Sequence, residues 1–117
     1  MTGGRHLILV GYRGTGKTTV GRLLAARLSR PFADADERVE RTAGRSISEI
    51  FAAAGEPGFR DRESAALAEL CAGPPGVIAT GGGAVLREAN RALLKASGFV
   101  VWLSAPPEAL WARISAD

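Results

Sequence analysis

Residues Gly11 to Thr18 read GYRGTGKT and match the pattern G-x-x-x-x-G-K-[ST] at every fixed position. The apolar run HLILV stands before them and TVGRLLAARL after them. The first reads as a buried parallel strand, and Val20, Leu23, Leu24 and Leu28 recur behind the loop at helical spacing. A strand, a glycine-rich loop and a helix in that order turn the loop's backbone N–H groups inward at the positive end of the helix, forming a cradle for phosphate. Gly11, Gly14 and Gly16 permit that turn. Lys17 is placed to reach the β- and γ-phosphates of a nucleotide, and Thr18 to offer its hydroxyl to magnesium. Thr15 and Thr19 complete the candidate phosphate-binding set, Gly14 to Thr19.

The 117 residues suit one domain with a real core, yet are few for a complete nucleotide kinase. With 46% hydrophobic and 23% charged residues the composition is that of an ordinary soluble globular protein, and no apolar run approaches the length of a membrane span. The start, MTGGRH, carries no signal-peptide core. Cys71 is the only cysteine, so an internal disulfide is excluded; it fits a reducing cytoplasm and reads as a small buried hydrophobe. The net charge of +3 could mean nucleic acid, yet the arginines are spread along the chain rather than clustered and an anionic nucleotide substrate explains them equally well, so no nucleic-acid or membrane partner is expected. His6, alone at the approach to the first strand, reads as structural.

Beyond the first helix, Ser29-Arg30-Pro31 breaks the pattern and Phe32 to Asp36, FADAD, follows as a short strand running into two carboxylates. On extended backbone, residues two apart point to one side; at a strand-to-helix corner Asp36 can instead cap the helix from Glu37 to Thr42. Gly44 closes that helix. Ser46-Ile47-Ser48-Glu49 has the form of a capping box that opens a helix through Ala54, ended by Gly55. Pro57 suits the first turn of the next, through Phe59-Arg60-Asp61-Arg62-Glu63 to about Leu70, with Ala66, Leu67 and Leu70 on its buried side. Arg60 and Glu63 share a face, either as an i,i+3 ion pair or as a guanidinium steadied to grip a carboxylate. Val77 to Thr80 is a third strand, ending in Gly81-Gly82-Gly83 at the carboxyl end, where open α/β sheets place ligands. A helix from Arg87 to Lys95, a strand from Phe99 to Leu103, and a helix from Pro106 to about Ile114 complete the chain. The alternation argues for parallel strands with helices on both faces.

Together GYRGTGKT, FADAD, the FRDRE helix and the GGG loop resemble the shikimate kinases, small P-loop proteins of the nucleoside-monophosphate-kinase-like kind, over Leu7 to Asp117. The resemblance implies an α/β fold, a parallel sheet in a three-layer α/β/α arrangement with strand order 2-3-1-4-5. It also implies Mg2+-dependent transfer of the ATP γ-phosphate to the 3-hydroxyl of shikimate, with ATP and shikimate as ligands and a monomeric protein. By it, Lys17 and Asp36 are catalytic, Thr18 and Asp34 serve the metal, and Asp36, Arg60, Gly81, Gly82 and Gly83 hold shikimate. Where most P-loop enzymes carry an aspartate ahead of the glycines, this chain has Thr80, which leaves magnesium to Thr18 and Asp34. The family's lid, last strand and C-terminal helix have no counterpart before Asp117. Residues 1–117 are therefore expected to form one domain, incomplete at its C-terminus, with Phe99 to Leu103 as an apolar edge prone to self-association. Two other functions fit the same residues: a nucleotide-binding module without turnover, and a kinase of another hydroxy acid such as gluconate.

Overall fold

The computed structural model describes residues 5–11 and 17–103. Strand β1 (His6–Gly11) leads to the phosphate loop, and helix α1 (Lys17–Leu28) takes up the chain after it. Then come β2 (Phe32–Asp34), α2 (Ala35–Ala43), α3 (Ile47–Ala72), β3 (Val77–Gly81), a 3-10 turn (Gly82–Leu86), α4 (Glu88–Ser97) and β4 (Gly98–Trp102). The four strands are parallel and ordered β2-β3-β1-β4, the first four places of the expected order. Register aligns Gly11 with Gly81, so the strand ends carrying the phosphate loop and the GGG run lie side by side.

Alternation along the strands divides the core. Ile8, Val10 and Ile78 face Leu67, Leu70 and Leu94, while Leu9 and Val77 face Val20 and Ala25 of α1. Helices thus cover both faces, as the βα alternation requires. His6 is structural, as read: its Nδ1 accepts from the Gly76 N–H at 3.2 Å, and Nε2 lies 3.1 Å from the Cys71 carbonyl. With Nδ1 accepting, Nε2 carries the proton and donates, which ties the end of α3 to the start of β3. Cys71 is only partly buried.

Several expectations need correction. The strand stops at Asp34, two residues before the predicted end, and Asp34 rather than Asp36 caps α2: its Oδ1 accepts from the Asp36 N–H at 2.8 Å and the Glu37 N–H at 3.3 Å. Asp34 has the extended backbone a cap needs (φ −109°, ψ 122°), whereas Asp36 is already helical. Leu23 and Leu28 are exposed, because α1 buries Val20, Gly21 and Ala25, with Leu24 partly covered. A Cβ on Gly21 would stand 3.0 Å from Phe32 Cδ1, so the helix lies on its small-residue side and turns the larger leucines away. Helix α4 begins at Glu88 and runs to Ser97, slightly later than predicted. The expected helix from Pro106 to Ile114 lies outside the described residues.

Candidate active site

The Ser46 capping box forms as read: the Glu49 N–H donates to Ser46 Oγ at 3.2 Å and the Ser46 N–H to Glu49 Oε1 at 2.8 Å. It starts the first half of α3, which ends at Gly55, where φ 69° and ψ −175° break the helix. The break folds one half against the other. Phe51 and Phe59 would lie about 12 Å apart along a straight helix, yet their rings stack with centroids 4.9 Å apart. The second half then carries Phe59, Arg60 and Glu63 to the carboxyl ends of β1 and β3.

There a cleft of about 260 Å³ is lined by Lys17, Asp36, Arg60, Glu63 and the turn Gly81 to Gly83, with Phe51, Phe59 and Ile47 forming an apolar wall. Residues from four separate stretches of sequence thus meet in one place. Thr18 and Asp34 stand together outside the lining, Thr18 Oγ1 being 3.4 Å from Asp34 Oδ2. That is long for a hydroxyl–carboxylate bond, so the two oxygens are neighbours rather than tightly joined. Thr19 is exposed in the first turn of α1 and does not line the cleft. Gly14, Thr15 and Gly16 lie outside the described residues.

The Arg60 guanidinium is firmly held. Nη1 donates to Glu63 Oε1 at 2.9 Å, Nε and Nη2 lie 3.4 Å from Glu56 Oε2, and Cζ sits 5.2 Å from the Phe59 ring centre. Burial alone would pull the Arg60 pKa down, but the bond and charge of Glu63, then those of Glu56, outweigh it and hold it above its ordinary value. Three of five N–H donors are engaged, and one on each terminal nitrogen remains for a ligand. Glu63 is 1% exposed, and its burial raises its pKa; the Arg60 bond and charge oppose this, while the Asp36 charge adds to it. The three-residue spacing of this pair was legible in the sequence; the burial of Glu63 and the aromatic wall were not. Their one sequence signal was the Gly55-x-Pro57 interruption between the two phenylalanines.

Thr80 is also 1% exposed, and its Oγ1 has no hydrogen-bond partner among the described residues. Where an acid was the common expectation, a neutral hydroxyl is buried beside the glycine turn. Among the described residues no cluster of three His, Cys, Asp or Glu side chains forms a metal cage. The adjacent Thr18 hydroxyl and Asp34 carboxylate are hard oxygen donors, and one or two of these suit Mg2+, which keeps most of its waters and takes other ligands from phosphates.

The sequence profile of the shikimate kinase family matches residues 13–117. The chain belongs to the shikimate kinase family. It is 58% identical over 108 residues to the shikimate kinase of Symbiobacterium thermophilum, covering 92% of this chain and 62% of that protein. To the shikimate kinase of Rhodopirellula baltica it is 56% identical over 113 residues, 97% of this chain and 60% of that protein. Among solved structures, shikimate kinase from Acinetobacter baumannii in complex with shikimate superposes with a TM-score of 0.84 at 48% identity, over 93% of this chain and 61% of that one. The chain thus spans about three fifths of the length of these shikimate kinases, and the α/β fold and strand order are those the family resemblance implied. No helix among the described residues is long and apolar enough to cross a membrane.

Proposed function

We propose that the protein carrying these residues is a cytoplasmic shikimate kinase, transferring the terminal phosphoryl group of ATP to the 3-hydroxyl of shikimate. One observation carries the reading: Lys17, Asp36, Arg60 and the Gly81–Gly83 turn, far apart in sequence, line a single small cleft beside the end of the phosphate loop. Its volume lies just under that of drug-sized sites and suits a compact acid. Membership of the family and likeness to a structure bound to shikimate support the same substrate.

In this reading the Lys17 ammonium faces the β- and γ-phosphates. The Asp36 carboxylate accepts a hydrogen bond from the acceptor hydroxyl, aligning it for in-line attack. The two remaining Arg60 donors grip the substrate carboxylate as a fork, and backbone N–H groups of Gly81 to Gly83 contact the substrate from the other side. Thr18 and Asp34 would hold Mg2+, which when bound with ATP offsets phosphate charge. Phosphoryl transfer depends chiefly on positioning and charge stabilisation, so one carboxylate at the acceptor suffices and no strong base is needed.

Arg60→Lys tests the clamp, because lysine keeps the charge and loses the planar fork. With charge-assisted hydrogen bonds contributing about 1.5–3 kcal/mol, the shikimate KM should rise roughly tenfold to a hundredfold while the ATP KM barely moves. Steady-state kinetics with shikimate, and with gluconate as competing acceptor, measure this. Unchanged shikimate kinetics, or preference for gluconate, would sink the assignment.

A further inference from the structure

Glycine at position 83 has no backbone reason to be glycine. Among the described glycines only Gly44 and Gly55 have positive φ, and Gly83 lies in the 3-10 turn at angles any residue adopts. The requirement is steric and has a single source. The three atoms nearest to a Cβ built on Gly83 all belong to one guanidinium: Arg60 Nη2 is the nearest, with Nη1 at 2.6 Å and Cζ at 2.7 Å. At Gly81, two residues earlier, a Cβ meets nothing within 4 Å. The glycines of this run therefore do different things.

On its other sides the guanidinium is already fixed by Glu63, Glu56 and the Phe59 ring. A methyl group at position 83 would have to push it about 1 Å to reach ordinary contact. The 2.9 Å bond to buried Glu63 cannot survive such a shift unchanged. Because the obstacle is the tip of a flexible side chain and not backbone, the fold can accept the change while the guanidinium cannot keep its place.

We propose that Gly83 is a positioning residue: its missing side chain seats the Arg60 guanidinium against the glycine turn, and the turn and the Glu63 carboxylate together aim its free donors at the carboxylate of the acceptor substrate. The seating stands on geometry alone; its consequence for substrate rests on the reading of Arg60 proposed above.

Gly83→Ala, Arg60→Ala and the double variant test both parts. The Glu63 carboxyl, followed by 13C NMR against pH, reports the seat without any ligand: losing Arg60 removes the main opposition to burial and leaves only the weaker pull of the Arg87 charge, so its midpoint should move up in Gly83→Ala as in Arg60→Ala, and no further in the double variant. Titration calorimetry with shikimate and with Mg·ADP reads the consequence. Charge-assisted hydrogen bonds lost from a carboxylate cost roughly tenfold to a hundredfold in binding, so shikimate affinity should fall by that order in Gly83→Ala, with Mg·ADP affinity held and no added loss in the double variant. A Glu63 midpoint moved by Arg60→Ala but not by Gly83→Ala overturns the proposal. If both variants move it and neither changes shikimate affinity, the seat is supported and the carboxylate reading of Arg60 is overturned. Should Gly83→Ala fail to fold, a double variant as stable as Arg60→Ala supports the clash with the guanidinium. Failure of both would put the obstacle in the backbone and overturn the proposal.

Discussion

Glu63 is where two forces on one carboxyl compete, and burial wins: its pKa lies above the ordinary carboxylate value of 4.5 despite the Arg60 guanidinium at 2.9 Å. The folded state therefore holds this proton more tightly than the unfolded chain does. Its contribution to stability is fully present below pH 4.5 and is lost as pH rises through the raised folded value. Glu63→Gln cannot titrate, so the stability of the parent protein relative to this variant should fall with rising pH across that window and then level off. Glu49 shifts the other way, lowered by its backbone hydrogen bond with Ser46, but it is common to both proteins and cancels in the difference. Urea denaturation of the pair over a pH series measures the slope, and a difference that rises with pH would mean that Arg60 wins instead. At this scale the sequence was a partial guide. The three-residue spacing placed Arg60 beside Glu63, but burial of Glu63 depends on side chains brought from other elements. The move of the helix cap from Asp36 to Asp34 turned on a helix boundary shifted by two residues, and propensity does not resolve boundaries that finely.

Among the elements, α3 owes its shape to one residue. Gly55 holds φ 69° and ψ −175°, a region that is essentially glycine's alone, and the chain there reverses enough to stack Phe51 on Phe59. Gly55→Ala should cost about 1–3 kcal/mol in strain and, by loosening the stack, weaken binding in the cleft that the two rings line. Thermal unfolding and a shikimate titration check the two halves separately; a variant as stable as the parent would show that the kink tolerates a side chain. The interruption itself was legible, because a glycine followed by Pro57 punctuates any helical pattern. The ring contact was not, since a straight helix keeps those residues far apart. In α1, packing rather than periodicity decides which residues are buried. Its leucines recur at helical spacing, yet Leu23 and Leu28 are exposed, because approach to Phe32 favours Gly21 and packing overrode hydrophobicity.

For the whole molecule, the alternation of strands and helices argued for parallel strands, while their order, and with it the weak point at β4, was what the family resemblance implied. This strand pairs only with β1 and ends the described sheet. Its register with β1 puts Phe99 and Val101 on the face of Leu7 and Leu9, and Val100 and Trp102 on the face of Ile8 and Val10. Apolar residues on both faces mark a strand suited to cover on both sides, yet Phe99 is 64% and Trp102 52% exposed. An apolar strand at a sheet edge is a template for another chain. The 117-residue polypeptide should therefore associate with itself increasingly as its concentration rises. Val101→Lys places a charge on that strand, the device natural edges use against pairing, and should shift the distribution back towards monomer without touching the cleft. Sedimentation velocity on both polypeptides over a range of concentrations decides the matter. A monodisperse monomer throughout, or association that Val101→Lys leaves unchanged, would clear β4 of any part in self-association.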